Sequence, residues 1–352
     1  MKKVYVEVGG AISVREETDP ELKPRHYLTD TQYSIISAGT ETTHIRNQQK
    51  PGASEARRIG YSNSGIVRER GEGATLYQPG QLVGCYGGGW ADHQSVCVTP
   101  ETLVSPAPKN LTPRQACFAG MCTFGLNGLR LCNMSFGENV AIIGMGLIGQ
   151  LTSQIAEAAG YRTVCLSRAS KLLDLATELG CHGVVNAGED DCVEKAKRIA
   201  FELGGPADAP GRPGGFDAAL ICSGSSDTNR DLLLAFDLIR DGGTVSIVGG
   251  VKQDFPRGPF FERQARLVVA RAAGVGRYDP HHEDEVEPIP HSHVRWSEGR
   301  NCAEVLRMIG DGKLNVDRLI THEFHISEAA NAYDTILNKP KDCLAVLLKY
   351  TD

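Results

Sequence analysis

The chain has no Cys-x-x-Cys pair among its 11 cysteines, no long basic run, no apolar stretch of membrane-spanning length and no internal repeat. Each absence excludes something. An odd number of scattered cysteines argues against a disulfide framework. The start, Met1-Lys2-Lys3-Val4-Tyr5-Val6-Glu7-Val8, alternates like a strand and lacks the apolar core of a secretory leader. Together these predict reduced thiols and a cytoplasmic protein. A formal net charge of −6 without a basic run speaks against nucleic acid or an anionic membrane surface as partner. The short apolar stretches predict no membrane span. What remains is ordinary for a globular protein, with 41% hydrophobic and 23% charged residues. The 352 residues are enough for two domains.

Glycine is plentiful, at 40 residues, and one cluster of it is ordered. The apolar run Val140-Ala141-Ile142-Ile143 leads into Gly144-Met145-Gly146-Leu147-Ile148-Gly149-Gln150, and a helical pattern follows to about Ala159. Strand, Gly-x-Gly-x-x-Gly and helix form the dinucleotide fingerprint. Gly144 permits the tight turn, Gly146 lets backbone approach a pyrophosphate, and Gly149 lets helix and strand pack closely. The helix N-terminus then offers N–H groups and partial positive charge to the phosphates. An ordinary glycine-rich turn would lack the flanking strand and helix.

Residues 1–110 read as short strands broken by Gly, Pro and Asn, at 33–37, 64–69, 82–85 and 93–98, the pattern of a partly open barrel. After Pro106–Pro113 the segment 114–132 reads as one helix. Strands at 163–167, 183–185, 217–222 and 243–248 then alternate with helices at 171–179, 192–203 and 231–239, which predicts a parallel doubly wound sheet. The segment 204–215 reads as an extended surface loop. Helical patterns at 301–309 and 327–337 and a strand at 345–349 close the chain. The expected organisation is α/β: 1–121 and 273–352 form a β-rich catalytic domain from both chain ends, interrupted by a cofactor domain at 122–272. Substrate would meet cofactor between them.

The order of parts resembles the medium-chain dehydrogenase/reductase superfamily, the alcohol dehydrogenase relatives. The resemblance spans essentially the whole chain. It rests on Ser37-Ala38-Gly39-Thr40-Glu41, Gly60-Tyr61-Ser62-Asn63-Ser64-Gly65-Ile66-Val67, Pro79-Gly80-Gln81-Leu82-Val83, the Gly144–Gly149 loop, Gly242-Gly243-Thr244-Val245-Ser246-Ile247-Val248-Gly249 and Leu319-Ile320-Thr321-His322. It implies a GroES-like β-barrel domain beside a Rossmann domain, hydride transfer to or from nicotinamide, and a homodimer through the last strands of the nucleotide domain.

The same resemblance marks a departure. Zinc-dependent relatives hold their metal with a Cys, a His-Glu pair and a later Cys or Glu. Here the matching positions carry Ala38, Tyr61, Ser62 and Gly120, none of which supplies the thiolate, imidazole or carboxylate that a catalytic zinc needs. The lobe of four closely spaced cysteines is missing as well, Cys85 and Cys97 standing far apart. Cys117 and Cys122 flank the third position and read as a helix face packed on the core. No metal is expected at either family site.

Without zinc another group must polarise the carbonyl or carry the proton. The candidates are Thr40, at the place of a relay hydroxyl; Glu41, at the place of a carboxylate that supports the metal ligands; Tyr61, whose hydroxyl acts as an acid if its pKa is lowered; and Asn63. Each has a plain structural alternative: a turn hydroxyl for Thr40, a salt-bridged carboxylate for Glu41, a barrel-core aromatic for Tyr61. His44 and Trp90 are candidate substrate contacts, and His93 reads as a surface residue.

For the cofactor, the second strand ends Ser167-Arg168 where an NAD site carries Asp or Glu. An uncharged Ser167 leaves room for a 2′-phosphate, which Arg168 and Lys171 could pair with, so NADP(H) is favoured over NAD(H). Ser223, Gly224, Val248, Gly249 and Gly250 sit where relatives contact ribose and nicotinamide. In the unusual segment 273–301, similar to a branch linked to sugar and polyol oxidation, Arg277, Tyr278, Arg295 and Trp296 suit a hydroxyl-rich ligand. Arg295 and Arg300 could equally be paired at a dimer interface, and Glu283, Asp284 and Glu285 read as a solvated loop. The expected function is a zinc-independent NADP(H) oxidoreductase of a secondary alcohol or ketone, such as a sugar, cyclitol or polyol. An enone or quinone double-bond reductase and a non-catalytic NADP(H)-binding redox sensor are the alternatives.

Overall fold

The computed structural model describes residues 1–351 apart from 206, 210, 211, 225, 226 and 256. It divides into two compact units. One comprises residues 1–123, 273–312 and 316–352, and the other 124–272 and 313–315.

Among the described residues of the second unit, six parallel strands lie in the order Gly183–Asn186, Arg162–Ser167, Asn139–Ile143, Phe216–Ile221, Ile239–Ile247, Arg266–Val269. In the unit's own order this is 3-2-1-4-5-6, with the strand before the glycine loop at the centre, where the winding reverses. The central strands read as nearly continuous apolar runs because both faces are covered, and Ile142, Val164, Leu220 and Val245 are fully buried. Helices Leu147–Ala158, Ser170–Glu178, Cys192–Glu202 and Arg230–Leu238 make the crossovers. The strand expected at 243–248 begins earlier, at Ile239, directly after the preceding helix. The helix Arg257–Arg263 and the edge strand Arg266–Val269 carry too much exposed charge to show in the apolar pattern. The segment expected as a loop contains the paired strands Ala207–Ala209 and Arg212–Pro213; its positions 206, 210 and 211 fall outside the described residues.

In the first unit the ten-residue strand His26–Ile35 pairs with Ser62–Arg70, with Val96–Pro100 and with the closing strand Ala345–Lys349. The sheet continues through Leu82–Tyr86 to Val104–Pro106 and, at the other end, to Ile320–His325. The two chain ends share one core. Val4, Val6, Ile36 and Ile45 pack with Ala332, Tyr333, Val346 and Leu348.

Three local readings need correction. The segment after Ser37 is a helix, Ala38–Gln48, and not turns between strands; its scarcity of apolar residues hid it. The helix expected over 114–132 is two, Pro113–Ala116 and Ala119–Leu131. Thr112 caps the first through a capping box with Gln115. Ser62 occupies the break, donating to the Cys117 carbonyl at 2.7 Å and accepting from the Gly120 N–H at 3.1 Å. Glu283 does not lie in a solvated loop. It is buried at the end of the short helix Pro280–Glu283, while Asp284 and Glu285 are exposed. All the cysteines are free thiols, and Cys117 and Cys122 are buried. Among the described residues no helix is long and apolar enough to cross a membrane.

Candidate active site

In the nucleotide unit the glycine loop has the geometry a pyrophosphate requires. Gly144 turns at φ +92°, and a Cβ there would collide with Ser223 backbone at 2.7 Å. At Gly149 a Cβ would lie 2.0 Å from the Gly144 carbonyl oxygen, whereas at Gly146 it would meet nothing within 4 Å. The three glycines therefore do separate things: turn, open approach and close packing. The helix Leu147–Ala158 begins at Gly146 with no side-chain cap and no acidic residue in its first turn. The N–H groups of Leu147, Ile148 and Gly149 are left for an anion. Met145 is buried, and its carbonyl accepts from Gln150 Nε2 at 3.3 Å. These residues fit a dinucleotide.

At the end of the second strand the Ser167 hydroxyl accepts from the Ala169 N–H at 3.2 Å, and Arg168 and Lys171 are exposed beside it. Ser223 donates to Asp231. The Gly249 N–H is bonded to the Ile221 carbonyl at 2.8 Å, and a Cβ at Gly249 would strike the Ser223 carbonyl oxygen at 2.0 Å. Gly224 and Gly250 are exposed with open space at Cβ, and Val248 closes over Gly128.

In the barrel unit a buried hydrogen-bonded group centres on Glu41, which is 1% exposed. Its Oε1 accepts from the Ser37 N–H at 2.8 Å. Its Oε2 accepts from the Tyr333 hydroxyl and lies 3.0 Å from His93 Nε2. His93 Nδ1 is 2.7 Å from Ser34 Oγ, which is 2.8 Å from the Tyr350 hydroxyl. One assignment satisfies the group with an ionised Glu41 and a neutral imidazole: Tyr350 donates to Ser34, Ser34 to His93 Nδ1, and His93 Nε2–H to Glu41. His93, expected at the surface, is fully buried. Gly60, at φ +95°, makes room for it, since a Cβ there would sit 2.7 Å from the ring.

Tyr61 reaches the same neighbourhood. Its hydroxyl is sheltered from solvent and lies in the neighbourhood of Ser37, Thr40 and the Glu41 charge. Burial first, and Glu41 next, hold the phenol above its usual range. The condition under which Tyr61 would serve as an acid, a lowered pKa, is not met, since its environment moves the phenol upward. Thr40 is exposed on the first turn of its helix. Asn63 is buried with its amide donated to Cys97 Sγ at 3.2 Å and the Asp92 carbonyl at 3.5 Å. His44 is half-buried, and burial with nearby Arg57 pulls its imidazole down.

The positions that match a zinc site do not suit one. Ala38 offers no donor, and the Ser62 hydroxyl is committed to the helix break. A Cβ at Gly120 would lie 2.3 Å from Tyr86 Cδ2 and 2.7 Å from Ser62 Oγ. The Tyr86 ring fills the space a third ligand would need, standing edge-on to Tyr61 at 6.0 Å. The residues present do not fit the metal.

Of the expected substrate contacts, the structure gathers Arg277 and Tyr278 beside Tyr61 and Tyr86. The Arg277 guanidinium lies 5.6 Å from the Tyr86 ring centre and 4.1 Å from that of Tyr278, and it pairs with Glu283. Tyr278 is held at φ +66°, with its N–H on Glu283 at 2.6 Å. A Cβ at Gly88 would be 3.9 Å from both Arg277 Nη2 and Tyr61 Cβ, which makes the group continuous. Trp90 instead packs at a tilt against His26, ring centres 5.5 Å apart, under Lys23. Trp296 is covered by Arg300, and Arg295 is exposed. Sequence reading missed Ser34, Tyr86, Glu283, Tyr333 and Tyr350. Tyr333 sits in an ordinary amphipathic pattern some 290 residues from its partner, and no local signal marks it.

The family model for zinc-binding dehydrogenases matches residues 148–285. An alcohol dehydrogenase of Cupriavidus necator is 22% identical over 98% of this chain and 97% of its own length. Sorbitol dehydrogenase 1 of Saccharomyces cerevisiae is 22% identical over 94% of this chain and 93% of its own. The crystal structure of galactitol-1-phosphate dehydrogenase from Escherichia coli superposes with a TM-score of 0.79 at 20% identity, covering 99% of this chain and all of that one.

Glu41→Ala removes the acceptor shared by His93, Tyr333 and the Ser37 N–H, and is expected to cost about 3 kcal/mol of stability. Urea unfolding checks this; a loss below about 0.5 kcal/mol, the scale of a surface substitution, would refute the central role of the carboxylate.

Proposed function

We propose that this chain is an oxidoreductase of the medium-chain dehydrogenase/reductase superfamily and that it transfers hydride between NADP(H) and a secondary alcohol or ketone of the polyol, sugar or cyclitol class without a catalytic zinc. The observation that carries the reading is the exchange of a metal position for Tyr61. Its buried phenol hydroxyl lies near Ser37 and Thr40 beside the Glu41 charge, while the Tyr86 ring closes off the Gly120 position.

The dinucleotide supplies or accepts the hydride. The chain's own residues do the rest. The Gly146 opening and the bare helix N-terminus take the phosphates. The neutral Ser167 with Arg168 and Lys171 favours a 2′-phosphate over a bare 2′-hydroxyl. Tyr61, holding its proton across the working pH range, donates a hydrogen bond to the substrate oxygen and stabilises negative charge there as the carbonyl is reduced or the alcohol oxidised. Thr40, exposed and near Tyr61, is the hydroxyl best placed to exchange a proton with solvent. The Arg277, Tyr278 and Glu283 group offers donors, an aromatic face and a carboxylate to a hydroxyl-rich ligand. The edge strand Arg266–Val269, with Val269 and Phe261 exposed, supports pairing of two copies. Light scattering should then give twice the 37.9 kDa chain mass; a monomeric mass at micromolar concentration would refute the dimer.

A panel of polyols, ketones and enones, followed at the nicotinamide absorbance, tests the activity. Tyr61→Phe should lower kcat by about 10²-fold or more and leave dinucleotide affinity unchanged. Arg168→Ala should weaken NADPH by about tenfold or more with NADH little altered. Full turnover in Tyr61→Phe would dismiss the phenol. Tighter wild-type binding of NADH than NADPH would overturn the cofactor assignment. Turnover of enones alone would replace the alcohol reading with double-bond reduction, and silence throughout with tight NADPH binding would favour a sensor.

A further inference from the structure

Ser167 ends its strand paired with Asn186, the last residue of the strand Gly183–Asn186. The pairing runs one residue further, where the Ala187 N–H donates to the Ser167 carbonyl at 3.0 Å. The next residue, Gly188, donates its N–H to Asn186 Oδ1 at 2.9 Å. A Cβ at Gly188 would lie 3.8 Å from Arg168 Cγ, so the stem of Arg168 runs beside this segment. The Ala187 carbonyl in turn accepts from Arg230 Nη2 at 3.0 Å. Arg230 is the first residue of the helix Arg230–Leu238, and its own N–H donates to Thr228 Oγ1 at 3.1 Å. That helix follows the strand Phe216–Ile221, on the other side of the central strand from Ser167. A cation remote in sequence from Arg168 is thus fixed at the same strand ends.

We propose that Arg230 is a further cation of the 2′-phosphate subsite and that, with Arg168 and Lys171, it sets the preference for NADPH over NADH. This role rests on the NADP(H) reading of the cofactor site and adds to it a residue from a separate stretch of chain.

Three features support it. Position is the first. In an open parallel sheet the nucleotide lies outside the carboxyl ends of the strands, which is where Ser167 and Ala187 stand. Charge is the second. Among the described residues of the nucleotide unit the ion pairs are Lys195 with Glu189 and Asp191, Arg240 with Asp217, and Arg263 with Asp241. Arg168, Lys171 and Arg230 join none of them, and all three are exposed. Lys195 engages the carboxylates of Glu189 and Asp191, just beyond Gly188, so these do not cancel the three cations. Around the neutral Ser167 the positive charge is kept for an anion, which a 2′-phosphate supplies and a bare 2′-hydroxyl does not. Preorganisation is the third. A neutral carbonyl holds one nitrogen of the Arg230 guanidinium without neutralising it. The rest of the planar fork is left for phosphate oxygens, and an anchored side chain has less freedom to lose on binding.

The test is titration of the full chain with NADPH and with NADH, read by the fluorescence of the bound reduced nicotinamide, which needs no turnover. The wild type should bind NADPH more tightly. Arg230→Ala should weaken NADPH about tenfold or more and move NADH by no more than about twofold. Arg230→Lys, which keeps the charge and loses the fork, should fall between wild type and Arg230→Ala. If Arg230→Ala fails to fold, Arg230→Lys carries the comparison, with a loss confined to NADPH expected and no loss contradicting the role. Unchanged NADPH affinity in Arg230→Ala, with the wild-type preference for NADPH intact, would overturn the role of Arg230 and leave the cofactor reading standing. Equal weakening of both nucleotides would also overturn it, by marking Arg230 as a mere support of the segment 187–188. Tighter wild-type binding of NADH, or no binding of either nucleotide, would overturn the cofactor reading and the role of Arg230 with it.

Discussion

The barrel unit depends on one buried carboxylate. Glu41 gathers the Ser37 N–H, His93 and Tyr333 from three separate stretches of chain, and His93 extends the group through Ser34 to Tyr350. A charge at 1% exposure is tolerable only when its lone pairs are met. That demand fixes the first turn of the helix Ala38–Gln48, the Gly60 turn that admits the imidazole, and the packing of the C-terminal helix and strand against residues from the start of the chain. Both chain ends are thus held by the group that lies under Tyr61.

The same arrangement explains how the site differs from a metal centre. The Glu41 carboxylate is engaged by His93 at 3.0 Å. The Tyr61 phenol stands where a ligand would, and the Tyr86 ring packs so tightly on Gly120 that no larger side chain fits there. The proposed metal-free site thus differs from a zinc site in packing as well as in residue types. Burial raises the Tyr61 phenol, which suits the role proposed for it, a fixed hydrogen bond in place of a Lewis acid.

Much of this was legible in the sequence because it is local. The apolar run 140–143 and the three glycines fix the central strand and the helix after it, since turn, approach and packing each act within a few residues. The residue types at 38, 61, 62 and 120 are read directly. What escaped was non-local or countered by an opposite local signal. His93 follows glycines and an acidic residue, which suggests a surface turn, yet it is enclosed by Glu41 and Ser34. Glu283 stands in an acidic stretch, yet it is drawn inside by Arg277. The continuous helical pattern 114–132 hides a break, because its cause is the Ser62 hydroxyl from a distant strand. Trp90 looked available for substrate and is spent on His26 and Lys23.

In the proposed function Tyr61 and its hydroxyl neighbours carry the chemistry without a metal. Metal analysis of the purified chain alongside its turnover before and after a strong chelator tests this most directly. Far less than one zinc per chain and undiminished hydride transfer are expected. About one tightly held zinc per chain, with turnover lost to the chelator and restored by zinc, would contradict it.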